Sequence, residues 1–322
     1  MYIDDFLFEK SSHLIAKTAY LHYVQSLPQN VIADQLDIST PTVSRLLKLA
    51  RNRNIVKFTM DQRALDCIEM ENKLCKMFGL RETIVFAGDK EKESQENIKK
   101  GVAMECARYV QRIVKEDDII GIASGGTMYY VVNYLMPSQR INASFVMLHG
   151  NLAKVDEKFK ASSLTIRCSM AFGGKAYCID QSGLQDDVEE LTKVKQYDEV
   201  KSTFDMYKKI TIAISGVGGF LPENGSPLAT TMFLNVDEIL YLNKLNACGD
   251  FLIRFFDEQG QECDSPLKER VLSIEYDLYR EVPIKILAAS GCCKTKAVKA
   301  LCRTKMANVL IVDRHLAQSL LE

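Results

Sequence analysis

Apolar residues follow a helical period through the first fifty positions of the chain. A first helix is predicted within residues 6–26, and Pro28 ends it because proline cannot continue a helix. Residues 29–36 and 41–49 predict two further helices, joined by a tight turn at Asp37, a residue type that tolerates a left-handed backbone. The segment therefore has the pattern of a helix-turn-helix.

Packing requirements account for the inner face of this motif. Two helices that cross steeply over a short turn need a small residue at their contact, which Ala33 provides. Ser39 or Thr40 can serve as N-cap ahead of Pro41, whose fixed φ suits a first helical turn. The inward face of the last helix carries Val43, Leu46 and Leu47.

The outward face of the same helix combines short hydrogen-bonding side chains with cations. A helix that enters the major groove of DNA uses such groups for base edges and phosphates. The alternating segment at residues 54–60 predicts a short strand, which would form the wing of a winged helix. The alternative is an ordinary helical hairpin with a solvated basic face. The candidate DNA-binding residues are Thr40, Thr42, Ser44, Arg45 and Lys48.

Beyond residue 61, short β-branched runs alternate with amphipathic helices. This alternation predicts an α/β fold in which helices cover both faces of a mainly parallel sheet. A helix over residues 62–78 precedes the sheet and could pair with a copy of itself. Strands are predicted at residues 83–86, 118–123, 144–148, 210–215, 251–256, 284–288 and 308–312. Helices are predicted at residues 96–115, 128–135, 186–206 and 294–303.

The composition limits the classes of protein to consider. The 322 residues are 47% hydrophobic and 26% charged, which is typical of a globular chain long enough for two domains. The apolar runs are too short to span a bilayer and no signal sequence opens the chain, so we expect a cytoplasmic protein. The ten cysteines lack the spacing of a disulfide framework, and we expect them to be reduced.

Charge is unevenly distributed along the chain. The net charge is −1, yet residues 38–60 contain five basic side chains and no acidic one. Screening confines a local field to about 10 Å, so this segment can bind phosphate although the whole chain is nearly neutral. The five basic residues are Arg45, Lys48, Arg51, Arg53 and Lys57.

Glycine-bearing loops follow several predicted strands, at the end of the sheet where α/β folds bind ligands. Ser124-Gly125-Gly126-Thr127 opens a helix, so its amides can converge on an anion, although the loop is not a Walker motif. Lys294 follows a second such loop and could meet a phosphate, while Asp250 could hold sugar hydroxyls. Each has a structural alternative: backbone geometry for the glycines, a solvated cation for Lys294 and a cap or turn residue for Asp250.

Other reactive residue types give no site. Cys292 and Cys293 lack the two-residue spacer of a metal site and have no partner pair nearby, so we expect no metal. His149 has no evident nucleophile beside it and is interpreted as structural. We expect no cofactor.

These segments, in this order, resemble the SorC family of bacterial sugar-responsive transcriptional regulators. The most specific element is the stretch from Gly249-Asp250 through Arg254-Phe255-Phe256-Asp257. One departure is Cys292-Cys293, where the family commonly has acidic residues before the lysine. The resemblance covers residues 28–56, 121–127, 249–260, 291–301 and 309–313.

The resemblance implies a winged-helix-type DNA-binding domain and an effector domain similar to the sugar-phosphate isomerase fold, which binds phosphorylated sugars without converting them. It also implies the role of each site residue: Gly125, Gly126 and Thr127 cradle the phosphate, Lys294 neutralises it, and Asp250 holds hydroxyls. The expected partners are double-stranded operator DNA, a phosphorylated sugar-type effector and further copies of the chain, in a homodimer or homotetramer, with no membrane.

We therefore interpret the sequence as a DNA-binding transcriptional regulator of carbohydrate metabolism genes, and not as an enzyme. Residues 1–60 would bind operator DNA, and residues 61–322 would bind a small phosphorylated sugar or related metabolite and form oligomers. The alternative is a sugar-phosphate isomerase-like enzyme, which would need a general base poised near neutral pH. Only Asp250 and His149 are candidates for that base. A pure interaction protein is a third class, but it would not need a glycine loop at a strand end.

Overall fold

A computed structural model describes residues 11–220 and 226–322, which fall into two compact units. One unit ends at Asp61, and the other extends from Gln62 to Glu322. Within the described ranges, no helix is long and apolar enough to cross a membrane.

From residue 11 onward, the first unit is a bundle of three helices, α1 (Ser12–Tyr23), α2 (Gln29–Leu36) and α3 (Thr40–Asn52). Asp37 ends α2 in the left-handed conformation, with φ 52° and ψ 48°, as the turn requires. The core consists of apolar side chains from all three helices, so the predicted helix-turn-helix is confirmed. The part of the first predicted helix that precedes residue 11 lies outside the described residues. The core includes Ile15, Ala19, Ile32, Ala33, Val43, Leu46 and Leu47.

The strand predicted at residues 54–60 is wrong, because this segment has no regular secondary structure. Its apolar side chains are not half-buried on a sheet: Phe58 is 63% exposed and Met60 is 55% exposed. Phe58 instead packs edge-on against Tyr23, with 5.3 Å between the ring centroids. The alternation of apolar and polar residues therefore does not produce a wing here.

The second unit contains a seven-stranded sheet in which every neighbouring pair of strands is parallel. The strands are β1 (Glu82–Phe86), β2 (Ile119–Ile122), β3 (Ser144–Met147), β4 (Lys175–Tyr177), β5 (Ile212–Ser215), β9 (Ile284–Ala289) and β10 (Val309–Asp313). Their order in the sheet is β1-β10-β9-β5-β2-β3-β4.

Helices cover both faces of this sheet, as predicted. The alternating residues of β10 show the two faces: Leu310 and Val312 belong to one hydrophobic core, and Val309 and Ile311 to the other. The helices are α4 (Gln62–Phe78), α5 (Gln95–Ile113), α6 (Gly126–Asn133), α7 (Ala161–Phe172), α8 (Val188–Val194), α9 (Asp198–Tyr207), α10 (Val236–Lys244), α11 (Tyr276–Arg280), α12 (Thr295–Arg303) and α13 (Arg314–Leu321).

A small antiparallel sheet of β6 (Gly218–Gly219), β7 (Ala247–Phe251) and β8 (Arg254–Asp257) accompanies the main sheet. The single strand predicted at residues 251–256 is therefore wrong, because the chain reverses at Leu252 and Ile253. Both residues have positive φ, 54° and 66°. Similarly, residues 186–206 form two helices, α8 and α9, instead of the one predicted.

The strand order places a change of winding direction between β2 and β5. The chain proceeds from β2 to β3 on one side, whereas it proceeds from β5 to β9 on the other. In open α/β sheets a crevice opens at such a point, outside the carboxyl ends of the two strands. The fold thereby predicts where a small molecule would bind.

Candidate functional site

The loops that follow β2, β5 and β9 line a single cavity of about 770 Å³. This cavity lies at the carboxyl ends of the strands where the winding direction changes. A cavity of this size can hold a small metabolite. The structure brings all five predicted effector residues to its walls, namely Gly125, Gly126, Thr127, Asp250 and Lys294.

The N-terminus of α6 borders the cavity without a side-chain cap. Gly125 precedes this helix with φ 123°, a conformation that other residues rarely adopt. Its carbonyl accepts from the N–H of Tyr129, which starts the helical hydrogen-bond ladder. The first amides of a helix have no partners within the helix, so an uncapped N-terminus can accept an anion.

His149 fixes the start of this loop. Its Nε2 accepts a hydrogen bond from the backbone N–H of Ser124 at 3.0 Å, so its Nδ1 carries the proton and donates to the Gly150 carbonyl at 2.8 Å. Burial lowers the pKa of His149 to about 4, which keeps the ring neutral at neutral pH. Because backbone groups occupy both ring nitrogens, His149 is a positioning residue, as its structural interpretation predicted.

Lys294 reaches the cavity from the loop after β9. The loop is held by Gly291, whose N–H donates to Asp313 Oδ2 at 2.8 Å and whose φ is 98°. Burial lowers the pKa of Lys294 and the charge of Lys99 lowers it further, while the negative charges of Asp250 and Asp313 oppose the shift. Among the residues the structure describes, no carboxylate forms an ion pair with Lys294 within 4 Å. Its charge is therefore available to a ligand.

Asp250 supplies a carboxylate to the cavity from β7. Burial raises its pKa, while a hydrogen bond from Ser226 and the charge of Lys294 oppose the shift. Its Oδ1 atom is buried and has no hydrogen-bond partner in the described part of the chain. This oxygen lies against Gly218, where a Cβ atom would come within 2.0 Å of it. A glycine at position 218 therefore makes room for the carboxylate.

Two further lysines line the cavity, and no sequence motif singled them out. Lys90 follows β1, and Lys99 lies in the second turn of α5, where it pairs with Glu96 at 2.9 Å. Nothing in their local sequence separates them from solvated surface lysines; only the fold brings them to the cavity. The described lining thus carries three lysines against one aspartate, which favours an anionic ligand.

Apolar side chains form another part of the wall. Leu252 and Ile253, at the β7–β8 turn, are 4% and 5% exposed and both line the cavity. The segment after β3 adds more apolar surface. This wall is uncharged, so it can select a ligand only by its shape. The other apolar residues of the wall include Leu152, Val155 and Phe159.

The predicted DNA-binding residues lie on the outer side of α3. Ser39 is the N-cap, and its Oγ accepts a hydrogen bond from the N–H of Thr42 at 3.3 Å. The Thr42 hydroxyl lies 2.8 Å from the same oxygen and is half-buried. The four other candidates, Thr40, Ser44, Arg45 and Lys48, are exposed, and none contributes to the core of the unit.

Comparisons with known proteins agree with this architecture. Residues 62–322 match a family described as "Putative sugar-binding domain". The chain is 28% identical to the deoxyribonucleoside regulator of Bacillus subtilis, over 97% of this chain and 98% of that protein. It is 27% identical to the sorbitol operon regulator of Klebsiella pneumoniae, over 96% and 98% of the two chains.

A solved structure extends the likeness to the whole chain. The full-length sorbitol operon regulator SorC from Klebsiella pneumoniae superposes with a TM-score of 0.76 at 26% identity. The match covers 97% of this chain and 99% of that one. The chain therefore belongs to the SorC family of sugar-responsive, DNA-binding transcriptional regulators.

Proposed function

We propose that the cavity binds a small phosphorylated sugar or a related metabolite, and that this binding controls the affinity of the chain for its operator. The observation that carries the proposal is the convergence of an uncapped helix N-terminus, three lysines and one buried carboxylate on a single cavity. The helix N-terminus and the lysines attract a phosphate, and the carboxylate can hold hydroxyl groups.

The phosphate would lie between the α6 N-terminus and Lys294. Backbone amides from Gly126 and Thr127 would donate to its oxygens, and the ammonium group would balance its charge. Hydrogen bonds to charged groups contribute roughly 1.5–3 kcal/mol each, and more when the site is shielded from water. Lys294 is costly to bury without a partner, so a bound phosphate would also relieve its desolvation.

The hydroxyl groups would bind at Asp250. Its Oδ1 lacks a partner among the described residues, and a buried polar atom without a partner is costly. A sugar hydroxyl would supply the missing hydrogen bond. The apolar wall at Leu252 and Ile253 would then contact the carbon side of the ligand.

The five residues on the outer side of α3 would contact the operator. Arg45 would reach a base edge, and Lys48 would contact a backbone phosphate, with Thr40, Thr42 and Ser44 near the groove. One short helix reads too few base pairs to stand out among competing genomic sites, so we propose that the chain binds as a homodimer or homotetramer.

An isomerase-like enzyme is less well supported. Such an enzyme needs a general base near neutral pH, and His149 is neutral with both nitrogens bonded to the backbone. Asp250 remains as the single titratable carboxylate in the described lining. Incubation with sugar phosphates, followed by chromatography of the products, tests this alternative directly, and turnover would support it.

The test of the proposed function compares Lys294→Ala with Lys296→Ala. Lys296 is exposed, pairs with Glu258 at 2.7 Å and does not line the cavity, so it is a matched control. A thermal-shift screen of phosphorylated sugars and their unphosphorylated counterparts should identify ligands that stabilise the wild type. Only phosphorylated compounds should do so.

Lys294→Ala should weaken such a ligand by about 10- to 100-fold, in line with the loss of one charge-assisted interaction. The variant should still fold and bind operator DNA, but the ligand should no longer change its operator titration. Lys296→Ala should behave as the wild type. A Lys294→Ala protein that responds at the wild-type ligand concentration would show that the ligand binds elsewhere.

A further inference from the structure

The ten cysteines, all of which lie within the described residues, differ sharply in accessibility. Six are buried and three are half-buried, whereas Cys292 is exposed. Burial raises the pKa of Cys106, Cys168 and Cys302 to about 12, which makes these thiols unreactive. Cys292 is thus the thiol that a reagent in solution meets first.

Cys292 also occupies a special place in the fold. It lies on the cavity wall, two residues before Lys294, in the turn that leads into α12. Lys90, which is distant in sequence and lines the same cavity, donates from its Nζ to the Cys292 Sγ atom at 3.3 Å. Lys99 lines the same cavity. A thiol beside one lysine, in a cavity lined by two more, attracts anionic reagents, because complementary charge raises the rate of encounter.

We propose that Cys292 is a site of thiol–disulfide exchange with anionic low-molecular-weight disulfides, and that the adduct closes the cavity. The Cys292 thiol loses its proton to solvent, and its sulfur attacks one sulfur of the disulfide RS–SR. The new Cys292–SR bond forms as the RS–SR bond breaks, and RS⁻ leaves and takes up a proton. A free thiol reverses the reaction, so no further oxidant or reductant is needed.

The adduct would act on the ligand site through charge and volume. The anionic group that the disulfide leaves on Cys292 would lie among Lys90, Lys99 and Lys294. It would also occupy space in the cavity. The exchange reaction itself stands independently of the proposed function, whereas the effect on ligand binding rests on it. The two parts therefore need separate measurements.

The first measurement is the rate of modification by two chromogenic disulfides. One is anionic 5,5′-dithiobis(2-nitrobenzoate), and the other is neutral 2,2′-dithiodipyridine. The native protein should show one fast thiol per chain with both reagents, and mass spectrometry of peptides should locate the adduct at Cys292. Cys292→Ser should lose the fast phase, and Cys293→Ser should retain it.

The ratio of the two rates isolates the role of charge. Lys90→Gln should lower the anionic-to-neutral ratio by about 3- to 10-fold at low ionic strength, and added salt should remove the difference. Lys92→Gln is the matched control, because Lys92 is exposed and close in sequence but lies outside the lining. A fast thiol that persists in Cys292→Ser, or a ratio unchanged in Lys90→Gln, would overturn the assignment.

The second measurement uses inorganic phosphate as the probe of the cavity. Millimolar phosphate should raise the melting temperature of the unmodified wild type but not of the stoichiometric Cys292 adduct, and dithiothreitol should restore the shift. Treatment with the disulfide should leave the phosphate shift of Cys292→Ser unaltered. An adduct with the full phosphate shift would refute closure of the cavity.

One further outcome distinguishes a failure of the proposed function from a failure of the exchange reaction at Cys292. If neither phosphate nor any sugar phosphate shifts the unmodified protein, the proposed function fails and the closure of the cavity fails with it. The exchange at Cys292 would still be decided by the Lys90-dependent rate ratio.

Discussion

The helices α3 and α6 differ in how their N-termini are completed. At α3 the Ser39 hydroxyl accepts a hydrogen bond from the Thr42 N–H and Pro41 has no N–H, so these two positions of the first turn need no outside partner. At α6 the preceding residue is Gly125, and no side chain caps the helix. One terminus is closed by its own sequence, and the other is left open to a ligand.

This difference indicates two modes of recognition, one through backbone amides at α6 and one through side chains at α3. Backbone amides at α6 would bind any phosphate alike, so discrimination between ligands must come from Asp250 and the apolar wall. At α3 the Thr42 N–H is already capped, and contact with DNA would fall to side chains that can distinguish bases. Substitutions should therefore affect α3 through side-chain chemistry and α6 through backbone geometry.

The largest effect is expected at His149, which holds the loop before α6. Its pKa is about 4 in the folded chain and about 6.5 when unfolded, so the unfolded chain binds the proton more readily. This pKa difference contributes about 3 kcal/mol to the free energy of unfolding. The contribution is fully present above pH 6.5 and is lost as the pH falls towards 4. Urea unfolding at pH 7 and pH 4.5 should show this loss, and His149→Gln should lose less. Parallel losses in both proteins would contradict the prediction.

The next prediction distinguishes backbone strain from steric crowding at two adjacent glycines, Gly125 and Gly126. A Cβ atom at Gly125 or at Gly126 would meet no atom within 4 Å, but only Gly125 has positive φ. Gly125→Ala should therefore cost roughly 1–3 kcal/mol of stability and weaken a phosphorylated ligand, whereas Gly126→Ala should cost about 0.5 kcal/mol or less. Urea unfolding and ligand-induced thermal shifts measure both. Equal costs for the two variants would count against an open α6 terminus shaped by Gly125.

Side-chain chemistry at α3 is tested by Arg45 and Lys48. Arg45→Ala should lose roughly 1–3 kcal/mol of operator affinity and relax specificity at one operator position. Lys48→Ala should weaken binding to all sequences alike and lower the slope of log affinity against log salt by about one. Fluorescence-anisotropy titrations over a salt series distinguish the two. If both variants bind the operator as the wild type does, α3 is not the DNA-binding helix.

The smallest effect concerns the α3 cap itself. Ser39→Ala removes the acceptor of the Thr42 N–H and should destabilise the first turn of α3 by about 1 kcal/mol. Ser44→Ala, on the exposed side of the same helix, is the control and should have little effect on stability. Amide hydrogen exchange across α3 in the full chain provides the measurement. Faster exchange only in Ser39→Ala would support a terminus closed by its own side chain, and equal exchange would refute it.

Much of the fold followed from local signals in the sequence. The helix-turn-helix was predictable because Asp37, Pro41 and the inward Val43 each serve a local geometric need. Six strands of the main sheet were predictable from their short runs of apolar residues, whereas β4 was missed because its residues are exposed or half-buried. The β7–β8 turn was missed because Leu252 and Ile253 continue an apolar run where turns usually carry glycine or asparagine. The break between α8 and α9, at residues 195–197, also contains neither glycine nor proline.

The cavity was predictable only in part, and for a physical reason. Gly125 and Lys294 could be selected because glycine loops at strand ends converge in any parallel α/β sheet. Lys90 and Lys99 could not, since they approach the cavity through the strand order, which places β1 beside β10. Asp250 lines the same cavity as Gly125 and Lys294, but its local structure was predicted wrongly, because it lies within β7 and not before a strand.

The turn at Leu252 and Ile253 bears on how the ligand range of this protein could be changed by directed evolution. Libraries at these two sites must satisfy a left-handed backbone as well as the ligand, and a β-branched residue there costs roughly 1–3 kcal/mol. Selection for well-folded variants would enrich asparagine, aspartate and glycine, which relax the backbone but remove the apolar wall. Leu152 and Val155 line the same cavity with negative φ, and randomising them would explore new ligands without that bias.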